Sequence, residues 1–134
     1  MIELKKCGMQ FVPIKPLVLC FLSTTTGSMY EHNNKRYLGL SLSPAVDERV
    51  AKIHEDSRQY MKSGSQIIDP KSGTELCIKV PYKYNKVTCK VTGLKTVQEL
   101  SLGDKVNVTI QYCGVWNVNT FSGCSWKLVS IETF

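Results

Sequence analysis

The sequence lacks any apolar run long enough to cross a bilayer. Its longest, Leu17–Leu22, is 6 residues, against the about 20 that a membrane helix needs. It is also short of the about 7 to 15 apolar residues of a secretory signal, and extending it backwards meets Pro16, Lys15 and Pro13. We therefore expect an intracellular chain with no membrane partner. Only two histidines occur, His32 and His54, neither beside a cysteine pair, and no C-x-x-C is present. A structural zinc is not expected. There is no glycine-rich phosphate loop, and no second histidine stands at metal-site spacing from His54 in His54-Glu55-Asp56. The remaining acids are scattered on polar faces. These absences argue against an enzyme, and no catalytic residue, metal ligand or cofactor is assigned. The 6 cysteines (Cys7, Cys20, Cys77, Cys89, Cys113 and Cys124) have no tight pairing and are too sparse for a disulfide scaffold. Free cysteine behaves as a small buried hydrophobe, and that is the role expected here. Without internal repeats or low-complexity tracts, 134 residues make one domain, residues 1–134.

Acid is scarce in one place that matters. Between Leu76 and Gln98 there is no Asp or Glu, yet Lys79, Lys83, Lys86, Lys90 and Lys95 all fall there. The whole chain has 17 Lys and Arg against 11 acids, a net charge of +6, so its basicity is local. These lysines alternate with apolar residues. In Leu76-Cys77-Ile78-Lys79-Val80 the period of two puts Leu76, Ile78 and Val80 on one face and Lys79 on the other. Beyond Pro81 and Tyr82-Lys83-Tyr84-Asn85, the run Lys86–Thr92 reads as one strand with Val87, Cys89 and Val91 inward and Lys86 and Lys90 outward. Lys105–Tyr112 alternates without exception. Cys113-Gly114 then breaks the pattern, and two short strands, Val115–Val118 and Ser125–Ile131, close the domain around a turn centred on Gly123.

Earlier in the chain, Met1–Met9 reads as a terminal arm or edge strand and Gln10–Pro13 as extended. Leu17–Leu22 is a continuous apolar run and reads as a buried strand. Asn33-Asn34 marks a hairpin turn or loop before a strand at Tyr37–Leu42. Ser43-Pro44 starts a helix, with Ser43 as N-cap and Pro44 at the first position, running to Lys62 with Gly64 as its stop. Ile67-Ile68 and the Asp69-Pro70-Lys71-Ser72-Gly73 turn lead into the basic strands. Strands, one helix and more strands make a mainly β, largely antiparallel domain. The expectation is a five-stranded, OB-like barrel with extra N-terminal strands and one inserted helix over residues 44–62.

The carboxyl-terminal third adds a resemblance. Gly103-Asp104 before a strand, then Gly114-Val115-Trp116, then Ser122-Gly123 with Ser125-Trp126, is similar to the end of the OB-fold single-stranded-DNA-binding proteins of large DNA viruses and tailed phages. The resemblance implies an OB fold, sequence-independent binding of single-stranded DNA, and a role in protecting or organising it during replication or recombination. Replication proteins and further copies of the chain are the partners it would bring. The acidic tail common in such phage proteins has no counterpart in Ser130–Phe134, so tail-borne recruitment of partners is not carried over.

Single-strand binders combine cations that follow phosphates with flat rings on which bases stack. Lys79, Lys83, Lys86 and Lys90 are the expected phosphate contacts, with Lys35, Arg36 and Lys105 behind them. Tyr84 is preferred over Tyr82 as a stacking ring, because an extended chain past Pro81 puts the two on opposite faces. Trp116 is balanced between platform and core, Trp126 is assigned to the core, and Tyr37 beside Lys35 and Arg36 is a further candidate. Four to six phosphate contacts would give a slope of log K against log salt of about −3 to −4. RNA stays open as a ligand. The alternative from another class is a small protein-interaction or virion module.

Overall fold

The structure, a computed structural model, describes residues 17–134 in full and the backbone alone of residues 4–7 and 10–13. The rest of the expected Met1–Met9 arm and the side chain of Cys7 lie outside the described residues. Strand β1 (Leu4–Cys7) pairs with β2 (Gln10–Pro13), and β2 joins the main sheet through Phe11 opposite Val115.

The centre of the molecule is a ring of five strands. β3 (Val18–Thr25) pairs antiparallel with β5 (Lys35–Ser41), and β5 with β8 (Glu75–Val80). β12 (Lys105–Val118) returns beside β3, and β13 (Phe121–Thr133) pairs with β12 and touches β8 at Lys127 opposite Lys79. The order β12-β3-β5-β8 is that of a Greek key. Closing it with β13 forces one departure from antiparallel pairing. An odd number of strands cannot alternate direction all the way round, and the mismatch falls at β8–β13, which is parallel.

Alternation explains the core. Val106, Val108, Ile110 and Tyr112 of β12 are wholly buried, as are Leu38 and Leu40 of β5 and Leu76 and Ile78 of β8. Helix α1 (Pro44–Ser57) starts as the sequence predicts, with the Ser43 side chain accepting from the Val46 N–H and Pro44 in the first turn. It is shorter than expected: a 3-10 turn takes over at Arg58–Tyr60, and Gly64 sits beyond it at φ +77°. Val50, Ile53, His54 and Ser57 are its buried face.

Four expectations are corrected. The apolar run at β3 is buried on one side only: Leu19 is covered while Val18, Cys20 and Leu22 are exposed, because a ring strand turns one face to the core and the other outward. Lys86–Thr92 is not one strand. β9 (Tyr82–Lys83) and β10 (Lys86–Val87) form a separate hairpin, and β11 (Lys90–Gly93) runs parallel to β13. Val87, Cys89 and Val91 still pack against the core. The last two strands are not short, with 14 residues in β12 and 13 in β13. Gly114 (φ +92°) marks a bulge at a register shift that β12 runs through, so the break in alternation is not a break in the strand. Finally, the closing turn is at Asn119-Thr120, and Gly123 lies within β13 opposite Trp116. A Cβ there would stand 2.6 Å from the Trp116 ring and 2.5 Å from the Ile68 carbonyl oxygen. Glycine at this position is what lets the indole lie against the strand.

Candidate nucleic-acid interface

Two hairpins and the outer face of β5–β8 build a groove of about 460 Å³. On one wall, β4 (Tyr30–His32) folds back on β5 through Asn33-Asn34, both at positive φ, so that Tyr30 stands opposite Tyr37. Their rings stack with centroids 5.7 Å apart. The Tyr30 hydroxyl is 3.0 Å from the Cys77 sulfur, and burial, followed by this contact, pushes its pKa up. The other wall is the half-buried Trp116, backed by Gly123 and by β6 (Gln66–Ile68), which pairs with Phe121–Gly123.

Lys79 lies between these walls. It is opposite Tyr37 on β5 and opposite Lys127 on β13. Its pKa is lowered, first by burial and then by the nearby Lys35 ammonium. Among the described residues no carboxylate is paired with Lys35, Lys79 or Lys127; the ion pairs are Arg36–Glu31, His54–Asp69, Lys71–Asp47 and Lys95–Asp104. Two ammonium groups held close without a paired carboxylate are costly unless an anion arrives.

The remaining predicted residues fall in three other places: the β9–β10 hairpin, β11 and a separate hollow. Tyr82, at the root of the β9–β10 hairpin, lies under the Arg36 guanidinium at 4.4 Å, and Arg36 is held by Glu31 at 3.3 Å. Lys83, Tyr84 and Lys86 surround the hairpin tip, with Tyr84 86% exposed and the Lys83 ammonium 5.3 Å from its ring. Tyr84 is the more exposed of the two tyrosines, but the geometric premise of preferring it as the stacking ring does not hold. The chain is not extended there, and Tyr84 is in the turn itself at φ +53°. Lys90, exposed on β11 opposite Ser130, lies farther along β13 than Lys127. Lys105 is elsewhere, lining a separate hollow with Leu22, Leu42 and Phe134, and is not brought to the groove.

Tyr30, His32 and Lys127 were not anticipated. A two-residue Asn-Asn turn fixes the register that puts Tyr30 on Tyr37 and His32 on Lys35, so the hairpin signal could have found the first two. Lys127 follows from the alternation beside a buried Trp126.

Under the groove, a polar chain holds α1 to the ring. The Trp126 indole N–H donates to His54 Nε2 at 2.9 Å, which requires Nδ1 to carry the ring proton and donate to Asp69, also at 2.9 Å. Burial lowers the His54 pKa, opposed by the Asp69 charge. Ser57 donates to the Ile53 carbonyl and so accepts from the Tyr112 hydroxyl at 2.6 Å. Trp126 is fully buried, as its assignment to the core requires. Cys20, Cys77, Cys89 and Cys124 are free thiols. Among the described residues no group of three or more His, Cys, Asp or Glu side chains is placed to hold a metal ion, and no helix is long and apolar enough to cross a membrane.

Comparison with protein-family models, with curated proteins and with solved structures found no match to this chain in any of the three.

Proposed function

We propose that this chain binds single-stranded DNA with little regard to sequence, through the groove on β5–β8 and the adjoining β9–β10 hairpin. One observation carries the reading: aromatic rings line both walls of a groove with an unpaired lysine between them. That is the combination by which single strands are held, bases on rings and phosphates on cations. We read the five-strand ring as an OB-type barrel, partly open where β8 meets β13 at a single register pair. In such barrels the face of the second and third strands, with the loops joining strands one to two and four to five, takes oligonucleotides. Here those parts are β5–β8, the Tyr30–His32 hairpin and the β12–β13 turn region that bears Trp116. Protection or organisation of single strands during viral replication or recombination is the role that follows from the sequence resemblance. RNA is the competing ligand, since 2′-hydroxyl recognition has no signature among these residues.

Fluorescence anisotropy of labelled oligo-dT, oligo-U and duplex DNA over a salt series tests the reading. Oligo-dT should bind more tightly than duplex, and changing Lys79, Lys83, Lys86 and Lys90 together to Ala should abolish binding. Flat anisotropy with all three ligands at low salt would reject it in favour of a protein-interaction module.

A further inference from the structure

At the base of the groove the outward residues of β8 and β13 meet. Lys79 and Lys127 are register partners, Lys35 lies close to Lys79, and Ser125 is two residues from Lys127 on the same face of β13. Ser125 is 6% exposed and lines the groove, and its hydroxyl lies beside the Cys113 thiol. A thiol is a weak hydrogen-bonding group, so the hydroxyl keeps the capacity to donate to an anion. Asp69 also lines the groove, and its carboxylate accepts from the neutral His54 and from the Lys71 N–H, so its charge stays in the lining and the lysines must outweigh it.

We propose that the groove contains a discrete nucleotide subsite, in which a phosphate is held by Lys79, Lys127, Lys35 and the Ser125 hydroxyl while its base stacks against the Tyr30–Tyr37 pair or Trp116. This rests on the single-strand reading and sharpens it. The strand is fixed at one phosphate on β8–β13, and the lysines of the β9–β10 hairpin add affinity from outside. A lone nucleoside 5′-monophosphate is then a ligand in its own right. Of Lys79, Lys83, Lys86 and Lys90, Lys79 alone is half-buried. The lowered Lys79 pKa reflects burial and then the neighbouring Lys35, and a bound phosphate relieves it.

The test is calorimetric titration of the full chain with thymidine 5′-monophosphate and with thymidine, at low salt, beside oligo-dT anisotropy on the same samples. The monophosphate should bind about tenfold or more tightly than the nucleoside, as charge-assisted hydrogen bonds imply. Lys79→Ala and Lys127→Ala should each erase that preference, Ser125→Ala should reduce it, and the triple change of Lys83, Lys86 and Lys90 to Ala should leave it intact. Circular dichroism melts confirm that each variant is folded, and Lys127→Ala, an exposed position, serves where a variant of a buried residue is not. Equal binding of the two small ligands, or a preference that survives both lysine changes, overturns the subsite. If oligo-dT still binds in that case, the single-strand reading stands alone; if it does not, both fall.

Discussion

The groove and the β9–β10 hairpin both present aromatic rings with lysines, but they hold them differently. In the groove each ring is supported. Tyr37 stacks on Tyr30, Tyr30 is anchored to Cys77, and Trp116 lies over Gly123. At the hairpin tip Tyr84 is almost bare and is in a backbone conformation that bulky residues avoid. Among the described residues the other non-glycine positions at positive φ are Asn33, Asn34, Asn85 and Asn119, and asparagine tolerates that region. Tyr84 is thus the exception among the described turns. On the proposed reading, strain kept at an exposed aromatic serves a contact made outside the fold, whereas the groove rings are held by packing within it.

Trp126→Ala removes the largest wholly buried side chain and leaves His54 Nε2 without its donor. It should destabilise the fold by about 3 to 5 kcal/mol, seen in urea melts, while Trp116→Ala costs much less stability. In oligo-dT binding at constant salt, Trp116→Ala and Tyr37→Ala should each lose about 1 to 3 kcal/mol; no loss from either would remove the groove from the interface. Gly123→Ala should act on the same site indirectly, because its Cβ collides with the Trp116 ring and the Ile68 carbonyl. Reduced tryptophan quenching by oligo-dT is its expected signature.

Tyr84→Asn should separate stability from binding. Relief of the left-handed conformation should raise stability by about 1 kcal/mol, while oligo-dT affinity falls. A lower melting temperature would show that the tyrosine is structural. The smallest effect concerns pH. Because the folded state holds His54 below its ordinary value of 6.5, the unfolded chain binds the extra proton first as pH falls. Stability should be complete above about 6.5 and decline below it until the folded-state value is reached. Asp69, Lys71 and Arg58 face His54 and set the size of that decline. Melting temperatures between pH 7.5 and 5 measure it, and a flat profile would contradict the buried neutral imidazole.

Much of this was legible in the chain. Alternation in Leu76–Val80 and Lys105–Tyr112 assigned each side chain to a face before any fold was known, since a strand's period of two is a property of its backbone. Ser43-Pro44 marked the helix start because its capping chemistry is local. The β9–β10 hairpin is hard to read from the chain because, although Asn85 suits a left-handed turn position, the bulky Tyr84 before it does not signal one. Gly123 was mistaken for a turn residue because a glycine needed for close approach looks the same in sequence as one needed for positive φ.

By itself, then, the sequence determined which faces are apolar, where the helix begins, and that lysines and aromatics share a region free of acid. The tertiary structure decided which of those residues share a site. Closing five strands into a ring carried Trp116 and Lys127 from the end of the chain to Tyr30, Tyr37 and Lys79, and left Lys105 in another hollow. Strand pairing over such separations depends on register and ring closure, which are properties of the whole sheet and are not encoded in any one segment.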